Sequence, residues 1–344
     1  MPKRCPNGSH RKPPKTGKCV KKTSKKVCPK NKLLNPKTNR CINDTKLNRK
    51  KIGITTPSHN ITDIITKACS TYNNLKEIDL DKVKFVEGNL VYKKLVLQKI
   101  KFISEGTYGK VYLFGNNDKM IAIKTYKHDD DDELGLIDML QEKKISCNVV
   151  NSRVLKIPKG YISIMDIMSG SLKDMEGKLT TKEIFTTIRN VAVNLRCLTR
   201  KKLSYTDLKC ANILFKCENK KKLKTVIGDI GGICTIGSKH ISTYTPYEFK
   251  DDRGIVDCNE KSMVWCLGVM ILELLQANTD RFHWSIIVNE TENSLYVYIE
   301  KACLLLNLDK ILLKNKMRSD ILLKKILDIN PKKRIGLTKL INSI

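Results

Sequence analysis

Two short polar loops on either side of an apolar segment constrain this chain more than any other feature. The first loop carries Asp207, Lys209 and Asn212 within six positions of one another. The second loop begins at Asp229, 17 residues past the asparagine, directly after the strand-like residues 225–228. The spacing predicts three polar side chains on one tight loop and a fourth at the start of another.

The residue types in these loops suit phosphoryl transfer. Asp207 can orient an attacking hydroxyl and accept its proton, while Lys209 can offset the charge of the moving phosphoryl group. Asn212 and Asp229 can hold Mg²⁺ against nucleotide phosphates. The loops resemble the catalytic and metal loops of eukaryotic-type protein kinases. The resemblance implies ATP and Mg²⁺ as cofactors and, because a lysine stands at position 209, Ser/Thr hydroxyls of protein substrates as acceptors.

A glycine-containing turn lies between two predicted strands upstream of these loops. Gly106 and Gly109 allow the backbone to approach phosphates where side chains would clash, and Val111 can pack on a base. The segment resembles the Gly-rich loop of the kinase family, with Ser104 in place of its first glycine. The nucleotide-binding residues that this resemblance implies are Ile103, Ser104, Glu105, Gly106, Thr107, Tyr108, Gly109, Lys110 and Val111.

Lys124 follows the second of these glycines by 15 residues, on the next predicted strand. The family places there the lysine that binds the α- and β-phosphates, and a glutamate of the next helix holds it. Glu133 shares a helical face with two apolar residues but lies only nine residues past Lys124. Glu142 has the more usual separation of 18 but is followed by two lysines. We favour Glu133 as the partner, with Glu142 as the alternative.

The order of the secondary-structure patterns predicts the fold. Strand-like patterns that end at Met165 are followed, beyond Leu172, by mostly helical ones. Strands first and helices later is the order of an α+β, bilobal protein-kinase-like fold with a small β-rich N-lobe and a larger helical C-lobe. We expect this domain over residues 97–344. The resemblance places the adenine-side hinge between Met165 and Met168.

Two motifs near the end of the chain fit the same family. Residues 246–248 look like a degraded Ala-Pro-Glu motif. Residues 330–334 match the motif whose arginine pairs with that glutamate. The resemblance therefore implies an ion pair between Arg334 and Glu248.

Several positions depart from the family pattern. Tyr205 and Thr206 stand where the family has His-Arg, Ile230 replaces a phenylalanine, and Met263 replaces an aspartate. The missing arginine normally pairs with a phosphorylated activation loop, so we expect activity without activating phosphorylation. The departures also leave a pseudokinase scaffold, which binds nucleotide without efficient transfer, as the alternative. The retained catalytic and metal-binding residue types argue against it.

The first 51 residues form a strongly basic arm. They hold 18 Lys and Arg residues against one acid, Asp44, and contribute +17 to the net charge of +30. Such an arm attracts polyanions, so its expected partner is an acidic protein face or a nucleic acid. A solvated arm with no specific partner is the alternative.

The arm also contains a tandem repeat. Cys5 and Cys19 of the first unit correspond to Cys28 and Cys41 of the second, 23 and 22 residues further on. The unit resembles the two-cysteine adaptor repeat fused to kinases and other enzymes of iridoviruses and related large DNA viruses, which implies a viral protein. Unbound thiols and one Cys–Cys bond per repeat both fit this spacing. Zinc fits less well, because closely spaced cysteine pairs are missing.

The remaining features concern the linking region and the cellular location. Residues 52–96 are expected to form a helical extension, because 60–72 show helix-like spacing. The 13 cysteines are scattered through apolar segments, which is typical of reduced thiols in an intracellular protein. No apolar stretch resembles a signal peptide, and the run at 263–275 is too short to span a bilayer. We therefore expect an intracellular protein without a membrane span, located in the host cytoplasm or the virion if the chain is viral.

Overall fold

The computed structural model describes separate stretches of the chain. They are residues 9–12, 18–21, 32–35, 40–43, 78–106, 109–116, 119–126, 131–145, 147–219, 222–249, 254–276 and 292–344. The chain divides into two compact units, Met1–Ser58 and His59–Ile344. Within the first unit, each cysteine repeat contributes an antiparallel hairpin. The strands of these hairpins are β1 Ser9–Lys12, β2 Lys18–Lys21, β3 Lys32–Asn35 and β4 Arg40–Asn43.

Seven strands in the N-terminal part of the second unit form one antiparallel sheet. They are β5 Val83–Val86, β6 Asn89–Tyr92, β7 Leu95–Glu105, β8 Gly109–Asn116, β9 Lys119–Tyr126, β10 Ser152–Ile157 and β11 Gly160–Asp166. Their order across the sheet is β10-β11-β9-β8-β7-β6-β5. Side chains alternate along β9, with Ile121 and Ile123 on one face and Ala122 and Lys124 on the other. All four are buried, so both faces of this central strand are covered.

The helical extension expected at 52–96 is wrong for its last part. Residues 83–92 form the β5–β6 hairpin, which adds two strands to the edge of the sheet beside β7. Leu90 and Tyr92 are buried at the two-residue spacing of a strand, and Val83, which pairs with Tyr92, is buried as well. Glu87 and Gly88 both have positive φ, as a two-residue hairpin turn requires. The helix-like pattern at 60–72 lies outside the described residues.

One of the described helices is inserted between β9 and β10, and the others follow the seven-stranded sheet in the chain. They are α1 Asp131–Glu142, α2 Thr181–Arg200, α3 Glu260–Gln276, α4 Glu292–Leu305, α5 Ser319–Ile326 and α6 Leu337–Ser343. Helix α2 begins with a capping box between Thr180 and Glu183, and its apolar face buries Ile184, Ile188 and Leu195. None of the described helices is long and apolar enough to cross a membrane. The α+β fold predicted from the sequence, β-rich first and helical afterwards, is confirmed.

Short strands in the C-terminal part frame the two polar loops. They are β12 Gly170–Ser171, β13 Leu203–Tyr205, β14 Ile213–Asn219, β15 Lys222–Ile227, β16 Ile233–Thr235, β17 Lys239–Ile241 and β18 Ile255–Asp257. The antiparallel pairs are β13 with β16, β14 with β12 and β15, and β17 with β18. The loop that carries Asp207 connects β13 to β14, and the loop that carries Asp229 connects β15 to β16. Because these strands pair with one another, the two loops lie side by side.

Two disulfides correct the expectation of reduced thiols. Cys147 is bonded to Cys197 and Cys234 to Cys258, with Cα–Cα distances of 5.3 and 6.2 Å. The bonded residues are 50 and 24 positions apart, so their proximity depends on the placement of α2 and β16 and has no local signature in the sequence. In the first unit, Cys41 is also disulfide-bonded. The thiols of Cys210, Cys266 and Cys303 are free, and all three are buried.

Candidate active site

A buried ion pair joins the sheet to helix α1. Lys124 Nζ lies 2.5 Å from Glu133 Oε2, and the two residues are 9% and 5% exposed. Asp229 Oδ1 lies 3.3 Å from the same ammonium group. Burial alone lowers the pKa of Lys124, but the negative charges of Asp229 and Glu133 outweigh it, so this pKa lies above its ordinary value. The lysine is therefore held charged at the edge of the second polar loop.

The structure pairs Lys124 with Glu133 and not with Glu142. Helix α1 begins at Asp131, so Glu133 lies in its first turn, close to the end of β9. The Tyr126 hydroxyl donates a second hydrogen bond to this glutamate, to Oε1 at 3.2 Å. Glu142 is exposed at the opposite end of the helix. The short connection between β9 and α1 thus decides between the two candidates.

The glycine-containing turn connects β7 to β8. The backbone N–H of Gly106 donates to the carbonyl of Gly109 at 2.9 Å, which closes the turn. A side chain at Gly109 would place its Cβ 2.1 Å from the carbonyl oxygen of Thr125, so only glycine fits there. The remaining candidate residues on the strands are Ile103, Ser104 and Glu105 on β7, and Lys110 and Val111 on β8. Thr107 and Tyr108 lie outside the described residues.

The carboxylate of Asp207 is the centre of the first loop. Lys209 Nζ lies 2.9 Å from Asp207 Oδ2, and the amide nitrogen of Asn212 donates to the same oxygen at 2.8 Å. The Asn212 amide also donates to the backbone carbonyl of Asp207 at 2.9 Å, which keeps the loop tight. The three polar residues that the sequence singles out are therefore in direct contact.

A fourth residue in this cluster escapes sequence reasoning. The hydroxyl of Thr243 donates to Asp207 Oδ1 at 2.6 Å and lies 3.4 Å from Lys209 Nζ. Thr243 is 36 positions from Asp207, in the segment that follows the second loop. Its only sequence signal is its position shortly before residues 246–248, and that signal does not indicate which side chain it meets.

The backbone holds the second loop against the first. The N–H of Gly228 donates to the carbonyl of Asn212 at 2.8 Å, and the buried Tyr205 hydroxyl donates to the carbonyl of Gly228 at 2.9 Å. Burial, followed by the charges of Asp229 and Asp207, raises the pKa of Tyr205 well above its ordinary value, so the phenol remains a donor. Asp229 itself has a positive φ of 42°, which turns the chain sharply after β15.

The donor set at these loops fits Mg²⁺. Asn212 uses its amide nitrogen on Asp207, so its amide oxygen is the atom available as a ligand. The Asp229 side chain is 36% exposed and offers carboxylate oxygens. Mg²⁺ prefers oxygen ligands and commonly takes one or two protein groups together with substrate phosphates. The two residues can therefore hold the ion that the sequence implies.

Two of the residues that depart from the family pattern, Met263 and Tyr205, contact each other in the core. Met263 is fully buried, and its Sδ accepts a hydrogen bond from the backbone N–H of Tyr205 at 3.3 Å. The link between the central helix α3 and the first loop is thus retained, but with a neutral sulfur where the family has a carboxylate. Ile230, on the second loop, is buried, as an apolar replacement requires.

The predicted pair between Arg334 and Glu248 is present. Two parallel hydrogen bonds of 2.7 Å join the guanidinium to the carboxylate. The Arg334 side chain is completely buried and lies over the ring of Trp265, 4.8 Å from its centre. A bidentate buried pair of this kind fixes the end of the segment that carries Thr243.

The predicted hinge residues, Met165 and Met168, lie where the sheet meets the helical part. Met165 lies on β11 opposite Ala122 of β9, and Met168 follows shortly after the strand ends. The backbone N–H of Ser169 then donates to the carbonyl of Phe215 at 2.9 Å, which ties the hinge to β14. Both methionines are half-buried.

Comparison with known families agrees with this arrangement. A family model described as "Protein kinase domain" matches residues 97–343, well over half of the chain. The matched range contains the sheet from β7 onward, the ion pair of Lys124 and both polar loops. Protein kinase domains are phosphotransferases that generally use ATP and Mg²⁺ and act on protein substrates. The chain therefore belongs to the protein kinase domain family.

Proposed function

We propose that this protein is an active serine/threonine protein kinase, which transfers the γ-phosphoryl group of ATP to Ser and Thr hydroxyls of protein substrates. The observation that carries the proposal is the assembled Asp207 cluster. Lys209, Asn212 and Thr243 all lie within 2.9 Å of its carboxylate oxygens. The ion pair of Lys124 is formed in the same structure. The presence of both groups in one structure supports the proposal.

In this proposal each side chain has a separate task. Asp207 orients the acceptor hydroxyl and takes its proton, and Lys209 offsets the charge of the transferring group. Lys124 binds the nucleotide phosphates, while the turn at 103–111 covers them. When bound at Asn212 and Asp229, Mg²⁺ would offset the charge of the phosphate oxygens. Met165 and Met168 line the adenine side.

The proposed preference for Ser and Thr acceptors is supported by the position and the residue type of Lys209. Lys209 reaches Asp207 and Thr243 at the same time, with Nζ 2.9 Å from Asp207 Oδ2 and 3.4 Å from the Thr243 hydroxyl. The lysine is also the residue type that separates this loop from the Ala or Arg pattern of tyrosine kinases.

The test is transfer of radiolabelled phosphate from ATP to generic peptides that differ only in the acceptor residue. Transfer to Ser and Thr peptides that requires Mg²⁺, with none to the Tyr peptide, is the expected result. Transfer to the Tyr peptide alone would refute the acceptor preference. Nucleotide binding without transfer to any peptide would support the pseudokinase scaffold instead.

We further propose that residues 1–51 are an adaptor arm for an acidic protein or a nucleic acid, separate from the kinase domain at 97–344. Its charge of +17 supports this proposal. Deletion of the arm should weaken heparin binding and make its salt dependence shallower. An unchanged salt slope would place the basic surface on the other unit. The likeness of the repeats to viral adaptor repeats stays a prediction.

A further inference from the structure

Thr206, which stands where the family has an arginine, connects the first polar loop to the segment that carries Thr243. The residue is 1% exposed. Its hydroxyl donates to the backbone carbonyl of Ile241 at 3.1 Å and lies 3.0 Å from Nδ1 of His240. His240 Nδ1 also lies 3.1 Å from the same carbonyl oxygen, so the Thr206 hydroxyl, the His240 ring and the Ile241 carbonyl form one hydrogen-bonded group.

Ser242 makes the reciprocal connection. Its hydroxyl donates to the backbone carbonyl of Thr206 at 2.9 Å, and the residue is 4% exposed. Its backbone N–H donates to the carbonyl of Gly254 at 2.9 Å, which anchors it on the far side. We call the two bonds, Thr206 to Ile241 and Ser242 to Thr206, the hydroxyl clasp. Both join the same two stretches of chain through neutral groups.

The hydroxyl clasp lies next to the proposed catalytic base, Asp207, and next to the threonine that contacts it, Thr243. Asp207 follows Thr206 in the chain, and Thr243 follows Ser242. The 2.6 Å bond from the Thr243 hydroxyl to Asp207 is therefore the immediate neighbour of the clasp. A displacement of one stretch relative to the other would separate Thr243 from Asp207. Thr206 and Ser242 are both buried, and loss of either hydroxyl removes a hydrogen bond that resists such a displacement.

We propose that Thr206 is a positioning residue, whose hydroxyl holds the activation segment, residues 229–248, so that Thr243 reaches Asp207. The consequence for phosphoryl transfer rests on the proposed function, whereas the effect on the segment does not. Because every group in the hydroxyl clasp is neutral, the segment is held without the charge pairing that a phosphorylated loop supplies.

Three variants of the full-length chain test the proposal. Thr206→Val keeps the shape of the side chain and removes the hydroxyl, while Thr206→Ser retains the hydroxyl. Thr225→Val is the matched control, because Thr225 is 6% exposed and its hydroxyl accepts a hydrogen bond from Asn194, outside the clasp. The measurements are hydrogen–deuterium exchange of the amides at 239–245 and the kcat and KM of peptide phosphorylation.

Thr206→Val should raise exchange at 239–245 about tenfold, the size expected for one buried hydrogen bond. Its kcat should fall about tenfold, with the KM for ATP unchanged. Thr206→Ser and Thr225→Val should exchange like the wild type in this segment. If Thr206→Val fails to fold, Ser242→Ala removes the other hydroxyl of the clasp and should give the same pattern.

Unchanged exchange at 239–245 in Thr206→Val would overturn the proposal. An equal rise in Thr225→Val would also overturn it, because it would indicate general loosening. A rise in exchange with wild-type kcat would show that the hydroxyl clasp does not position the site of an active enzyme. If the wild type transfers no phosphate but Thr206→Val alone loosens the segment, the proposed function fails and the clasp stands.

Discussion

The two halves of the candidate site are held together by different physical means. On the nucleotide side, Lys124 is fixed by the charges of Glu133 and Asp229 in a buried position. On the acceptor side, the hydroxyl clasp of Thr206 and Ser242 uses neutral hydroxyls and backbone carbonyls. Lys124 and Glu133 on one side, and Thr206 and Ser242 on the other, are all buried, so the burial of these side chains does not distinguish the two halves.

The difference lies in what happens when one partner is lost. Removal of one member of a buried ion pair leaves an uncompensated charge, which costs about 3–5 kcal/mol. Removal of a neutral hydrogen-bonding partner costs about 1–3 kcal/mol. The nucleotide side should therefore be sensitive in stability and in pH dependence, while the acceptor side should be sensitive chiefly in geometry and rate.

The largest effect is expected at Asp207, the proposed catalytic base. Asp207→Asn preserves size and keeps one acceptor oxygen for Lys209 and Asn212, but it cannot accept a proton, so the transfer rate should fall about 10²–10⁴-fold. ATP binding, which belongs to the nucleotide side, should be retained. Single-turnover transfer and a nucleotide-binding titration measure the two separately. Equal transfer rates in variant and wild type would refute the assignment of Asp207.

The next effect compares Glu133 with Glu142. Glu133→Gln removes a charge from a buried pair and should lower the free energy of unfolding by about 3 kcal/mol. Glu142→Gln is the matched control: the residue is on the same helix but exposed, and the change should stay within about 0.5 kcal/mol. Urea unfolding measures both. Similar losses in the two variants would contradict the contribution of the ion pair.

The pH dependence of stability should further distinguish the nucleotide side from the acceptor side. The pKa of Lys124 is raised above its ordinary value of 10.5, so the stability that its acidic neighbours contribute is fully present below pH 10.5 and is lost as the pH rises through the raised pKa. The stability difference between wild type and Glu133→Gln should therefore shrink in strongly alkaline solution. The stability difference between wild type and Thr206→Val should remain constant over the same pH range. Unfolding curves at neutral pH and at about pH 11 test both statements.

The smallest effect is expected when a phosphatase removes any phosphoryl groups from the protein itself. Because the hydroxyl clasp contains no charged group, protein treated with a phosphatase should keep its specific activity to within about twofold. The measurement is peptide phosphorylation before and after treatment. A large loss that autophosphorylation restores would show that the acceptor side depends on charge after all.

Much of the site could be predicted from the sequence because its residues are close together or are spaced by regular strands. Asp207, Lys209 and Asn212 lie on one loop, and the alternation along β9 fixes the side on which Lys124 appears. The order of strands and helices likewise predicted the α+β fold. Residues that are close in the sequence can be placed in this way, because a tight loop or a strand allows few directions for each side chain.

Other features depended on contacts between distant segments. Thr243 meets Asp207 across 36 positions, and Cys147 meets Cys197 across 50. The helix-like spacing at 60–72 predicts a helical extension over 52–96, whereas residues 83–92 form an edge hairpin whose turn at Glu87 and Gly88 is a weaker sequence signal.

The sequence by itself thus determined the fold class and the chemistry that its polar loops can support. Only the tertiary structure decided that Glu133, and not Glu142, pairs with Lys124. It also decided that Thr206 and Ser242 join the two stretches of chain beside Asp207. The physical reason is that a hydrogen bond or ion pair requires atoms within about 3 Å, and for residues far apart in the chain that distance is set by the packing of whole elements.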